Sequence, residues 1–75
     1  MTEEMIAEWK EDLRRNTTEK LKDMVKSNVE YAKKYLDQIA YYCGSSADAV
    51  HCYTESLNQS VLTIKVLNEI IDERR

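Results

Sequence analysis

No proline occurs in this chain, and Gly44 is its only glycine. A sheet of many short strands needs both residues for its turns, so their scarcity excludes most β architectures and leaves long helices. Phenylalanine is missing too, and five tyrosines and one tryptophan supply all the aromatic surface. Each of those rings carries a polar group that seeks water or a partner. No apolar run approaches the ~18 residues that a bilayer-spanning helix needs. The start, Met1-Thr2-Glu3-Glu4, is acidic where an export signal would be basic and then apolar. With two cysteines and no such signal, a cytoplasmic setting with both thiols free is expected.

What is present suits a small helical protein. Hydrophobic residues make up 43% of the chain and charged residues 33%, enough apolar material to fold. A formal net charge of −3 fits neither a strongly cationic nucleic-acid binder nor a strongly anionic mimic of nucleic acid. Seventy-five residues make a single domain, 1–75. A chain this short buries only a little over half of its unfolded surface, so very regular helix packing or association must support it.

Three helices are expected. The first runs over about 3–15, capped by Thr2, with Glu3 and Glu4 in the first turn and Met5, Ile6, Trp9 and Leu13 as its apolar stripe. Asn16-Thr17-Thr18 breaks the pattern, and Asn16 with Glu19 resembles a capping box, with Thr17 or Thr18 as alternative caps. The second helix runs over about 18–43 with the stripe Leu21, Val25, Asn28, Ala32, Leu36, Ile39 and Cys43. Gly44 takes the left-handed position that stops it. Ser45 or Ser46 caps the third, over about 46–73, whose stripe includes Val50, Tyr53, Leu57, Ser60, Val61, Ile64, Leu67 and Ile71. A turn so short makes helices two and three an antiparallel hairpin. Helix one, about half their length, folds back beside the end opposite the hairpin tip. The fold class is all-α, a three-helix bundle.

Two features exceed what an isolated bundle needs. Leu62, Val66 and Ile70 form a second apolar stripe on helix three. Either helix one covers it or a second chain does; its width favours a second chain, and hence a homo-oligomer, a dimer first. Asn28, amid an apolar stripe, would then set register. The other feature is the hairpin tip, beyond the reach of helix one. There Tyr35, Tyr41, Tyr42 and Tyr53 present rigid aromatic area of the kind enriched at binding hot spots, with Tyr41 pointing outward.

Chemistry is scarce. Cys43, His51, Cys52 and Glu55 alone have metal-ligand character, but their spacing is not that of a zinc site. Cys43 should face the core and Cys52 away from it, which also disfavours a disulfide. Ser45, Ser46, Asp48 and His51 hold the letters of a hydrolase triad but lie where a helix cap belongs. With one histidine, no glycine-rich loop and no room for a hollow of several hundred Å3, no catalytic, metal or cofactor site is expected. Lys22, Lys26 and Lys33 line one outer face of helix two, edged by Lys20 and Lys34, but Asp23, Glu30 and Asp37 interleave with them as on a solvated face.

The function these features favour is non-catalytic protein–protein interaction, with self-association through Leu62, Val66 and Ile70 and a protein partner at the tyrosine tip. A regulator or inhibitor fits, including a phage- or mobile-element-encoded blocker of host machinery. The rivals are a nucleic-acid-associated regulator using the lysine face and a structural subunit of a larger assembly.

Overall fold

A computed structural model describes residues 2–75; Met1, the first residue of the expected domain, lies outside them. Three helices follow one another: α1 over Glu3–Arg14, α2 over Thr18–Tyr42 and α3 over Ala47–Glu73. Each starts on a hydroxyl that takes up an orphan backbone N–H. Thr2 Oγ1 accepts from Met5 N at 3.2 Å, Thr17 Oγ1 from Lys20 N at 3.1 Å and Ser46 Oγ from Ala49 N at 3.3 Å. Thr17 therefore caps α2 in place of Asn16, whose amide donates back to the Leu13 carbonyl at 3.1 Å. Gly44 has φ +84°, the left-handed conformation that ends α2 and turns the chain into α3. The helix ends one residue earlier than expected, at Tyr42, and Cys43 is its extended C-cap.

The all-α hairpin is as the sequence requires, but α1 sits on one flank of it. It rests mainly on α3 and only lightly on α2. The molecule is accordingly broader than it is thick, at 44 × 26 × 14 Å. Leu13 of α1, Leu21 of α2 and Val66, Leu67, Ile70 and Ile71 of α3 form the core, with Trp9, Met24, Val25 and Leu62 packed against it. All of it lies at the end away from the tip.

The placement of α1 matches the other of the two readings of the second stripe, that helix one covers it. Val66 is 3% exposed and Ile70 0%, and half-buried Leu62 packs against the same core. Two attractions fix α1 there: the apolar stripe itself and carboxylates at its border. Lys10 Nζ donates to Glu69 Oε2 at 2.7 Å, and Arg14 donates to both oxygens of Glu73 at 2.9 and 3.1 Å. Arg74, from the end of the chain, closes the joint. Its guanidinium donates to the carbonyls of Arg14 (2.7 Å) and Asn16 (2.9 Å) and to Thr18 Oγ1 (3.1 Å), satisfying groups that the end of α1 leaves open.

A correction concerns the main stripes. Leu36 and Val61, expected in the hairpin core, are each 53% exposed, and Cys43 is exposed as well. They lie on the flank that α1 does not cover. Asn28 is half-buried and donates to the Met24 carbonyl at 2.8 Å, so its own helix satisfies it without a second chain.

Candidate functional site: the tyrosine tip

Met5, near the start of α1, lines a shallow hollow with Gln59 of α3. From Gln59 to the start of α3 is a further twelve residues, or about 18 Å at 1.5 Å per residue. Along that stretch α2 and α3 have only each other, and the four predicted tyrosines gather there. Tyr35 lies across from Tyr53 with ring centroids 6.4 Å apart. Tyr53 stacks on Tyr42 at 5.8 Å with planes 13° apart. Tyr41 meets Tyr42 edge-on at 4.9 Å and 85°. The rings form one ladder, Tyr35–Tyr53–Tyr42–Tyr41, in separations favoured between aromatic quadrupoles.

Its members have different surroundings. Tyr35, Tyr42 and Tyr53 are half-buried and hold the two helices together. Tyr41 is 77% exposed, as its outward position predicts. Tyr35 and Tyr42 recur seven residues apart, two helical turns, which puts them on one flank of α2. Tyr42 and Tyr53 border an open cleft of about 400 Å3 with Ala49, Cys52 and Ser56. A second open cleft, of about 630 Å3, wraps the turn from Cys43 to Ala47 and extends along Val50, His51 and Thr54. The expectation that so short a chain has no room for hollows of this size is thus corrected: a helical hairpin with no third helix at its tip leaves clefts there, and both are open to solvent.

The polar residues at the tip are engaged locally. Ser46 caps α3, Ser45 Oγ donates to the Tyr42 carbonyl at 3.1 Å, and His51 Nε2 lies 3.2 Å from Glu55 Oε1 within one helical turn. Both cysteines are free and exposed. Among the described residues no three His, Cys, Asp or Glu side chains come together as metal ligands would.

The ionisable groups that shift lie at the other end. The hydrogen bond from Lys10 holds the Glu69 carboxyl below its ordinary range, and that from Arg14 does the same to Glu73. Glu73 in turn raises the Arg14 guanidinium. These shifts tie α1 to α3 and have no part in the tip. Arg74, among the described residues the one side chain that bonds across the α1–α2 joint, carries no signal in the sequence beyond being a cation near a helix end.

No family model, no curated protein and no solved structure matches this chain. Among the described residues no helix is long and apolar enough to cross a membrane.

Proposed function

We propose that this chain is a non-catalytic protein-binding module that acts as a regulator or inhibitor, with the tyrosine tip as its contact surface. The observation that carries this reading is the ladder itself. Four tyrosines lie in continuous contact at the end of the hairpin beyond α1, and the last of them is 77% exposed. Three rings are fixed by packing, so little side-chain freedom is lost when a partner closes over them. Tyr41 adds exposed aromatic area resting on a rigid base. Fixed aromatic surface beside an open cleft is where hot spots concentrate. Ser45 and Ser46 are hydrogen-bonded within the turn and the α3 cap, and His51 Nε2 lies 3.2 Å from Glu55 Oε1.

Self-association through Leu62, Val66 and Ile70 is not part of this reading, because Val66 and Ile70 are core within the chain and Leu62 packs against it. A nucleic-acid role for the lysine face has less support than the tip: Asp23, Glu30 and Asp37 alternate with the lysines, whereas the ladder is unbroken.

The test replaces Tyr41 by a photo-crosslinking residue, identifies the protein it captures, and measures the purified pair. Tyr41→Ala should leave helicity unchanged and weaken the complex by about 30-fold or more, the equivalent of a ~2 kcal/mol hot spot. Equal affinity of wild type and Tyr41→Ala would remove Tyr41 from the interface. An affinity that falls steeply with salt would point to phosphate contacts and the lysine face instead.

A further inference from the structure

The flank of the hairpin opposite α1 is the largest feature that the tip does not use. Val29, Leu36 and Cys43 recur every seven residues, or two turns, and so share one side of α2. Val50, Leu57 and Ile64 do the same on α3. Cys43 and Val50 border a common cleft, which brings the two rows together along one groove. Val61, between Leu57 and Ile64, adds to its wall. Along this groove Val29 is 36% exposed and Leu36 and Val61 53% each, although Leu36 and Val61 were patterned to be core. On α3, Val61 and the covered Val66 lie about 140° apart at ~100° per residue, so α1 cannot reach this side.

Between Asp37 near the tip and Asp72 at the other end, the residues nearest the groove are mainly basic. Lys26 and Lys33 lie one turn to either side of Val29, Lys22 one turn before Lys26, and Lys65 one turn beyond Val61. None of the four joins an ion pair among the described residues. Lys10 and Arg14, by contrast, are paired with Glu69 and Glu73 where α1 docks on α3. Asp23 and Glu30 lie farther round α2, and Asp37, one turn past Lys33, ends the basic rim toward the tip. In a chain of net charge −3, an apolar groove edged by four unpaired lysines is a local reversal of sign.

We propose that this groove docks an amphipathic helix of a partner protein whose apolar stripe is flanked by carboxylates. The concave seam between two antiparallel helices can receive a third helix, and α1 shows on α3 the chemistry that would hold one: an apolar stripe bordered by ion pairs. From Val25 to Leu36 the groove runs about 17 Å, long enough for three turns of the occupant. Charge and shape select this occupant over two others. A second copy laid face to face would bring lysine rims together, and an anionic bilayer would meet a concave rather than bulging apolar surface. This site is separate from the tyrosine tip and does not depend on it.

The test uses the full chain and a designed 18-residue helical peptide with leucines along one stripe and glutamates on both sides of it. A comparison peptide keeps the leucines and carries lysines for the glutamates. The glutamate peptide should bind and shift the amide resonances of Val29, Leu36 and Val61, with the lysine peptide at least tenfold weaker. Leu36→Glu and, separately, Lys26→Glu with Lys33→Glu should each weaken binding at least tenfold with helicity retained; these are surface positions, and two independent variants guard against misfolding of either. Tyr41→Ala should bind the peptide normally, which separates this site from the tip. Equal binding of both peptides, shifts confined to the tyrosines, or no binding would overturn the proposal. So would a dimer in sedimentation that Leu36→Glu dissociates, or binding to phosphatidylserine vesicles in place of the peptide.

Discussion

Val66 in α3 is buried where Tyr41 in α2 is exposed, and the buried one permits a sharp expectation. Val66 is 3% exposed inside a single chain. Val66→Glu should therefore unfold the monomer rather than split a dimer, since an unpaired carboxylate in that core costs several kcal/mol, comparable to all the stability a domain of this size has. Circular dichroism distinguishes the two outcomes: a helical monomer from the variant would show that the stripe faces a second chain after all. Gly44 is the other decisive residue. Its φ of +84° disfavours any side chain, although a Cβ there would meet nothing within 4 Å. Gly44→Ala should cost about 1–2 kcal/mol from backbone strain alone, read as a lower urea midpoint with an unchanged slope.

At the scale of elements, α1 is held by one apolar face and a border of charge, and the two can be loosened separately. Trp9 is half-buried against the core, so Trp9→Ala should cost up to about 3 kcal/mol, the lower end for a buried tryptophan. An unchanged thermal midpoint would mean that α1 is a free arm. Acid should act on the charged border. The folded state lowers the Glu69 and Glu73 pKa values, so it binds fewer protons there than the unfolded chain. The stabilisation is present above the ordinary glutamate pKa of about 4.3 and is lost as pH falls through the folded values below it. Tryptophan emission should therefore shift to the red below about pH 4, before the far-ultraviolet helix signal collapses. The two signals moving together would show that α1 does not loosen first. Both pairs are partly exposed, so the effect should shrink in salt.

Across the whole molecule, stability is lopsided. The fully buried apolar side chains Leu21, Leu67 and Ile70 all lie at the end that α1 closes, while the tip has half-buried tyrosines and two open clefts. Hydrogen exchange should follow that gradient. Amides around Leu21 and Leu67 should exchange only through global unfolding, and those around Tyr42 and Val50 through cheaper local opening. Uniform protection along α2 would contradict a loose tip. The proposed contact surface lies at that looser end, away from the fully buried core.

Much of this was written into the residues. The scarcity of proline and glycine, the hydroxyl caps and Gly44 determined three helices and their turns within a residue or so, because helix ends depend on local chemistry. The tyrosine cluster was legible for a related reason: a short first helix cannot reach the tip of a longer hairpin, whatever its angle. The flank that α1 would take was not. Leu36 and Val61 have the same apolar character as Val66 and Ile70, and periodicity assigns each to a side of its helix without saying which side a third helix will cover. That choice was made in three dimensions, where Lys10 and Arg14 reach Glu69 and Glu73 on one flank and would meet Lys65 on the other. The tertiary structure therefore decided which stripe became core and which was left as an open groove.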